Sequence, residues 1–252
     1  MITIFSFVIF GLALGAFGTL LGIGGGVILV PVFLLLMHYT PQYAIGTSLA
    51  VVFFNALSGT FAYIRQKKVY YDAGIRFSLA TIPGAFFGSY FAKYFTSNSF
   101  NMTFGILLTL LAFIIFYRSV SSKVEEKPFN KEEFQYNRLL GVLLSFVVGF
   151  LSSILGIGGG PIHVPILIYL LGFPTHVATA TSHFVLAISS FVGVVSHYVL
   201  GNILLVPAIA TGIGATVGAQ LGARLSLKMQ SRPIQIMLSL ALAGLGFRLL
   251  LG

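Results

Sequence analysis

The sequence LGIGGG at residues 21–26 returns letter for letter at residues 155–160, an offset of 134 residues. A proline follows each copy by five residues, at Pro31 and at Pro165. One ungapped shift over roughly seventy residues indicates that the chain is a duplicated half-protein. The same offset pairs Thr47-Ser48 with Thr181-Ser182, Gly59 with Gly193, and Gly84, Ala85 and Gly88 with Gly218, Ala219 and Gly222.

The composition of the chain is that of an integral membrane protein. Hydrophobic residues make up 57% of the chain and charged residues only 8%, whereas charged residues are about 25% of an ordinary soluble domain. Because the apolar stretches are uninterrupted, and do not alternate every second residue, they predict membrane-spanning helices. The net charge of +9 is then explained by topology and lipid contacts, and nucleic-acid binding is not expected.

Five apolar segments in each half predict an all-α integral membrane protein built from two five-segment repeats with glycine-broken helices. We predict a first membrane repeat over 1–118, a polar cytoplasmic linker over 119–137 and a second membrane repeat over 138–252. The second segment of each half is shorter than the about 20 residues that a span requires. The segments run roughly over 2–20, 25–38, 44–64, 73–95 and 99–118, then over 139–155, 160–172, 177–199, 203–227 and 233–251.

Basic residues predict that the second repeat is inverted with respect to the first. The loop between segments three and four carries three basic residues in the first half and none in the second. The loop between segments four and five shows the reverse bias, with Lys93 alone in the first half and three basic residues in the second. Since positive charge marks the cytoplasmic side, this pattern requires five crossings per half and places both termini outside. We expect a multi-pass protein of the inner (cytoplasmic) membrane. The basic residues are Arg65, Lys67 and Lys68 in the first half and Arg224, Lys228 and Arg232 in the second.

The two glycine-rich stretches are the first candidate for a functional site. Glycine costs about 1 kcal/mol in a helix interior, so three in a row break a helix. Inside a membrane, a broken backbone persists only where it faces protein or a water-filled cavity. A helix that restarts there directs N–H groups and the positive end of its dipole at that cavity, which favours an anion; the alternative is a purely structural break. The candidates are Gly24, Gly25 and Gly26 with Gly158, Gly159 and Gly160.

A second set of candidates lies on the third segment of each half. Spacings of seven and four place its polar residues on one helical face, and the repeat supplies a matching face. Two such faces in opposed helices would line one substrate site, although serines in membrane helices often bond only to their own backbone. The candidates are Thr47, Ser48 and Asn55 in the first half and Thr181, Ser182 and Ser189 in the second.

Polar residues that occur only in the second half form the third set of candidates. His163 and His183 replace leucines of the first half, and Gln220 replaces Phe86. Polar residues at membrane depth are functional suspects, so we add these three to the predicted substrate-binding set. A neutral, hydrogen-bonded histidine is the alternative at each position. No paired spacing with a third ligand indicates a metal site, and no cofactor is expected.

Acidic residues are nearly confined to the linker, and this favours an anion as the substrate. The only acid elsewhere is Asp72, at a loop. Cation transporters and proton pumps usually bury carboxylates to bind or relay the cation, and none lies within the segments. Neither a nucleophile nor a nucleotide-binding loop indicates an enzyme, and the charges of the linker are typical of a solvated segment.

In these features the chain resembles the TauE/SafE family of sulfite-exporter-like membrane transporters. The resemblance rests on the duplicated glycine break before a proline, on Gly46-Thr47-Ser48 and Ala180-Thr181-Ser182, and on the Gly-Ala-x-x-Gly of segment four. It covers essentially the whole chain. It implies transport of small sulfur oxyanions or organosulfonates, such as sulfite or sulfoacetate, without fixing the substrate.

The predicted function is transport of a small sulfur-containing anion by alternating access between the inverted repeats. We expect the site near the middle of the bilayer, between the two glycine breaks and the two serine-bearing helix faces. A passive anion channel is one alternative, and a non-transporting membrane partner that delivers sulfur compounds to an enzyme is another. The expected partners are the small anion and the lipid bilayer, while a coupling ion and a homodimer are left open.

Overall fold

The computed structural model describes residues 4–94, 96–121, 131, 133–229 and 231–251, and within them every regular element is helical. The linker residues 122–130 and 132 lie outside this description. Two short irregular turns extend the helices, a 3-10 turn after α4 (Ala92–Tyr94) and a π-helical turn after α7 (Ile166–Leu170). The helices are α1 (Ile4–Leu21), α2 (Gly26–Leu35), α3 (Pro41–Arg65), α4 (Tyr71–Phe91), α5 (Ser97–Ser121), α6 (Arg138–Leu155), α7 (Gly160–Pro165), α8 (Thr175–Val199), α9 (Leu205–Ser226) and α10 (Ser231–Leu251).

The helices confirm the predicted all-α membrane class. By length and composition, six of those described are long and apolar enough to cross a membrane: α1, α3, α5, α6, α8 and α9. Large apolar side chains cover the outside of the bundle, and Phe113 and Val199 are 70% and 79% exposed. A monomeric soluble protein rarely presents so large an apolar surface. Both second helices are short, as the sequence predicted.

The first helix of each half packs against the fourth helix of the other half. Helix α1 lies along α9, and α6 lies along α4. A Cβ atom added to Gly15 would lie 2.6 Å from the Cα of Ala215, and one added to Gly149 would lie 2.8 Å from the Cα of Thr81. These two contacts are equivalent under the repeat offset. Such close approach of backbones is possible because glycine has no side chain.

Helices α3 and α8 are repeat mates that pack against each other in opposite directions at the centre. Leu49 near the start of α3 contacts Gly193 near the end of α8, whereas Gly59 contacts His183. Helices α5 and α10 pair in the same antiparallel way. An antiparallel pairing of repeat mates is what an inverted repeat requires. The orientation of the two halves in a bilayer stays a prediction.

The basic loops lie together at one end of the molecule. Gln66 at the end of α3 donates a hydrogen bond to the carbonyl of Ala223 near the end of α9 (2.9 Å). Lys131 of the linker donates to the carbonyl of Lys67 (2.6 Å), which brings the linker to the same end. The neutral loop before α9 lies at the opposite end, where the N–H of Leu204 donates to a threonine near the start of α3 (3.1 Å).

Candidate functional site

Each glycine-rich stretch forms the same tight turn, which we call the glycine turn. In the first half Gly22, Gly24 and Gly25 have φ angles of 79°, 74° and 80°. The equivalent glycines of the second half have φ angles of 74°, 74° and 81°. Residues with a Cβ atom rarely adopt this left-handed backbone. The duplicated sequence therefore codes for a duplicated turn, and not for a continuous helix.

The first glycine turn reverses the direction of the chain. Helix α1 runs parallel to α3, since the Gly15 carbonyl accepts a hydrogen bond from Asn55 (3.0 Å) and the Thr19 carbonyl accepts one from Tyr63 (2.8 Å). Helix α2 runs the other way, because its first residue, Gly26, contacts Val52 and its middle lies near the start of α3. The N-terminus of α2 therefore lies in the middle of the bundle.

The two glycine turns contact each other at the centre of the molecule. A Cβ atom added to Gly26 would lie 2.8 Å from the carbonyl oxygen of Gly156, and one added to Gly160 would lie 2.6 Å from the Cα of Ile23. Each second helix therefore starts against the glycine turn of the other half. The structure brings all six predicted glycines into one region, and their role in binding stays a prediction.

Two repeat mates, Val52 and Leu186, fill the space between the glycine turns. Val52 is fully buried, and Leu186 is 2% exposed. A Cβ atom added to Gly24 would lie 3.2 Å from Cγ1 of Val52, and one added to Gly158 would lie 2.8 Å from Cδ1 of Leu186. With two neighbouring alanines they form a small apolar cluster, which we call the apolar plug. It occupies the space between the two glycine turns.

The equivalent serines Ser48 and Ser182 differ in their hydrogen bonds. The Ser48 hydroxyl donates to the Gly156 carbonyl (2.9 Å), and so ties α3 to the glycine turn of the other half. Ser182 is 1% exposed, but its hydroxyl has no hydrogen-bond partner. The same residue in the same repeat position is satisfied in one half and unsatisfied in the other.

Ser182 belongs to a cluster of three buried polar side chains on α8, which we call the polar pocket. Thr179, Ser182 and His183 are 2%, 1% and 0% exposed, and the hydroxyls of the first two have no partner. The carbonyl of Thr179 lies near the His183 ring, but neither ring nitrogen makes a hydrogen bond of ordinary geometry. Gly22 of the first glycine turn borders the cluster, since a Cβ atom there would lie 2.9 Å from the Thr179 methyl group.

Helix α3 holds the imidazole of His183 in place from the opposite side. The His183 and Tyr63 rings meet edge to face, with centroids 5.4 Å apart and an interplanar angle of 75°. A Cβ atom added to Gly59 would lie 2.7 Å from Cδ2 of the imidazole, so only glycine leaves room for the ring. Because Tyr63 is two residues from the end of α3, the polar pocket lies between the apolar plug and the end that carries the basic loops.

The unsatisfied groups of the polar pocket need an explanation. An unpaired buried hydroxyl or ring nitrogen costs about 1–3 kcal/mol, and native proteins keep few of them. The first half has no such cost at these positions, because its equivalents are Ile45, the bonded Ser48 and Leu49. A ligand that accepts hydrogen bonds would satisfy the donors of the pocket, which are the two hydroxyls and the N–H of the imidazole.

Asn55 and Ser189, both predicted as site residues, are occupied by internal hydrogen bonds. The amide of Asn55 donates to the Gly15 carbonyl (3.0 Å) and accepts from the Thr19 hydroxyl (3.2 Å). Ser189 donates to the carbonyl of Leu186 in its own helix (3.3 Å). Asn55 therefore fastens α1 to α3, and Ser189 shows the self-bonding typical of serines in membrane helices.

The predicted threonines Thr47 and Thr181 hold the starts of two helices. The Thr47 hydroxyl accepts from the N–H of Leu204 (3.1 Å), just before α9, and Thr181 accepts from the N–H of Tyr70 (3.0 Å), just before α4. The two bonds are equivalent under the repeat. Both threonines neighbour the serines of the site, but their own hydroxyls accept bonds from the ends of other helices.

His163 lies apart from His183, between α7, α6 and α4. Its Nε2 is 3.3 Å from the hydroxyl of Ser145, its ring packs edge to face on Phe77 (5.7 Å, 81°), and its Nδ1 has no partner. His197 was not among the predicted site residues. Its Nε2 lies 3.3 Å from the carbonyl oxygen of Ser153. This contact repeats the one that Tyr63 makes in the first half, so His197 has a structural role.

Gln220 is the one predicted site residue that faces outward. Its amide nitrogen lies 2.8 Å from both the carbonyl and the hydroxyl oxygen of Ser58, in a groove between α3 and α9.

Thr179 is a member of the polar pocket that was not among the residues predicted from the sequence. The signal was present, because Thr179 lies one helical turn before His183 and has an apolar repeat mate. Among the described residues, no group of three or more histidine, aspartate or glutamate side chains could hold a metal ion.

The fold and the site define the class of this protein: a multi-pass, all-α membrane transporter with duplicated halves that meet at broken helices. The chain belongs to the sulfite exporter TauE/SafE family, whose model matches residues 7–249.

Similar proteins come from a bacterium, an archaeon and a plant. The chain is 38% identical over 266 residues to a probable membrane transporter protein, YunE, of Bacillus subtilis, covering 96% of each chain. It is 27% identical over 259 residues to a probable membrane transporter protein of Methanocaldococcus jannaschii, covering 97% of this chain and 94% of the relative. It is 32% identical over 111 residues to the sulfite exporter TauE/SafE family protein 6 of Arabidopsis thaliana, covering 40% of this chain and 26% of that protein. No solved structure matches the chain.

Proposed function

We propose that the chain moves a small sulfur-containing anion, such as sulfite, sulfoacetate or a related organosulfonate, across the cytoplasmic membrane. The observation that carries this proposal is the polar pocket, where the hydroxyls of Thr179 and Ser182 are buried without hydrogen-bond partners and neither ring nitrogen of His183 makes a hydrogen bond of ordinary geometry. Hydroxyl groups and a neutral imidazole offer donors. Sulfite and sulfonate oxygens are acceptors, so such an anion would pair with the donors that the protein leaves unsatisfied.

The N-terminus of α2 adds to the preference for an anion. The first hydrogen bonds of this helix run from the N–H groups of Ile28 and Leu29 to the Gly25 carbonyl, so the N–H groups before them have no acceptor within the helix. The positive end of the helix dipole therefore lies at the centre of the bundle, beside the glycine turns. Because no carboxylate of the described residues lies in the interior, this potential would act on the anion without competition.

The apolar plug supports alternating access over a permanently open passage. Val52 and Leu186 lie between the glycine turns, and the polar pocket lies on one side of them only. A bound anion would reach the other end when one half rocks against the other and parts the plug.

The basic end of the molecule supports one orientation of the chain in the membrane. Arg65, Lys67, Lys131 and Arg224 gather at the end of the molecule towards which the polar pocket is displaced. The rule that positive loops stay inside makes this end cytoplasmic. Both chain termini would then lie on the outer side of the membrane.

The first experiment measures thermal stability of the purified chain in detergent against sulfite, sulfate, thiosulfate, sulfoacetate, taurine, acetate and chloride. A ligand of the folded state alone stabilises it by about 2.7 kcal/mol at a hundred times its dissociation constant. We expect a selective shift with one sulfur anion in the wild type and none in Ser182→Ala. No shift with any anion would contradict the proposal.

Flux in proteoliposomes then separates transport from its alternatives. Saturable uptake that is accelerated by the same anion on the far side indicates a transporter. Uptake that rises in proportion to concentration indicates a channel, and binding without uptake indicates a delivery partner.

A further inference from the structure

A groove between α3 and α9 opens on the membrane-facing surface of the molecule. Its volume is about 440 Å³. Its walls are apolar and exposed, with Phe54, Leu57 and Phe61 at 36%, 38% and 57%. Its floor is polar, formed by Ser58 and Gln220, and Arg65 lines the end nearest the basic loops. The groove therefore presents apolar walls to the membrane, a polar floor and a cation at one end.

Hydrogen bonds fix the polar floor of this groove. Gln220 donates to Ser58, and the Ser58 hydroxyl donates to the carbonyl of Thr216 (2.7 Å). The Arg65 side chain is exposed. Arg224 follows Gln220 by one helical turn on the same face of α9, so α9 carries a second basic residue one turn beyond the polar floor.

The repeat supplies an equivalent groove with different chemistry. Between α8 and α4 a cavity of about 390 Å³ is lined in part by the repeat mates of five of the seven groove residues. There Val192 takes the place of Ser58, Phe86 that of Gln220 and Val199 that of Arg65. The fold tolerates apolar residues at all three positions, so packing does not require the polar and charged set of the α3/α9 groove.

We propose that the α3/α9 groove binds one anionic phospholipid, with the headgroup phosphate at Arg65 and an acyl chain along Phe54, Leu57 and Phe61. Arginine pairs well with phosphate oxygens, and basic residues near a membrane surface favour anionic lipids. The apolar walls match an acyl chain, which a free anion lacks. This site goes beyond the proposed function, since it lies outside the polar pocket and shares no residue with it.

The test counts bound lipid. The purified chain is titrated in detergent with phosphatidylglycerol or with phosphatidylcholine of the same acyl chains, and retained lipid is measured by native mass spectrometry. We expect one phosphatidylglycerol per chain, retained in preference to phosphatidylcholine. Arg65→Val introduces the residue type of the equivalent groove and should weaken phosphatidylglycerol binding about fivefold. Arg248→Gln removes a charge near the C-terminus of α10, away from the groove, and should leave it unchanged.

Three results would overturn the lipid site. Equal retention of the two lipids would show that the headgroup is not recognised. Unchanged binding in Arg65→Val, or in Arg65→Gln if the valine variant does not fold, would exclude Arg65. Competition by glycerol 3-phosphate at the concentration of the lipid would indicate a site for free anions. The thermal stabilisation by a sulfur anion is measured separately in the Arg65 variant. If it persists there, a failure of the lipid site leaves the proposed transport function standing.

Discussion

Ser48 and Ser182 occupy the same repeat position, yet only Ser48 has a hydrogen-bond partner. We expect Ser48→Ala to lower the free energy of unfolding by about 1 kcal/mol, because it removes a buried hydrogen bond to the opposite glycine turn. Ser182→Ala should leave stability unchanged or higher, because it removes an unsatisfied hydroxyl, and should lose the stabilisation by sulfite or sulfoacetate. Thermal unfolding with and without the anion measures both effects. Full retention of the anion effect in Ser182→Ala would remove Ser182 from the site.

His183 offers a second test at the scale of single residues. His183→Leu installs the residue that the first half carries at this position, and so removes two unpaired ring nitrogens from the interior. We expect a folded protein of equal or higher stability whose anion uptake in proteoliposomes is lost. His197→Tyr is the matched control, because Tyr63 makes the equivalent contact in the first half. Uptake should survive in the control, and uptake that also survives in His183→Leu would assign His183 to packing alone.

At the scale of elements, the glycine turns combine a left-handed backbone with tight packing. Gly24 and Gly172 both have φ of 74°, but a Cβ atom on Gly172 would meet nothing within 4 Å, whereas one on Gly24 would press on Leu186. Gly172→Ala should therefore lower the free energy of unfolding by about 1–2 kcal/mol, which is the backbone strain alone. Gly24→Ala should cost more and should change anion flux, because it displaces the apolar plug. The two variants are compared by thermal unfolding and by anion uptake in proteoliposomes. Equal stability and equal uptake in both would show that the apolar plug has no role in transport.

The positions of the elements were largely predictable, while the contacts of their polar faces were not. The repeat of LGIGGG and its proline located both glycine turns, because three glycines break any helix. The sequence does not show that the Ser182 hydroxyl lacks a hydrogen-bond partner, because this depends on where another element places an acceptor. The outward direction of Gln220 was hidden as well, since an apolar membrane helix gives no signal of which face meets lipid.

At the scale of the whole molecule, the basic loops test the inverted repeat. We expect single cysteines at Lys67 and Lys228 to react with a membrane-impermeant reagent from the cytoplasmic side only. A cysteine at Asn202 should react from the outside only, because its loop lies at the other end of the molecule. Labelling in intact cells and in inverted vesicles distinguishes the sides. Reaction of Lys67 and Asn202 cysteines from one side would refute the inverted arrangement.

The packing of α1 on α9 has a consequence for how the protein is made. Gly11 and its contact at Thr211 are separated by about 200 residues, which a ribosome adds in roughly 10–40 s. During that interval the glycine-lined face of the first helix is in the membrane without its partner. The first half therefore cannot complete its packing until the second half is made. A ribosome that stalls in the linker would leave a nascent chain whose first helix exposes an unpartnered face to quality-control proteases.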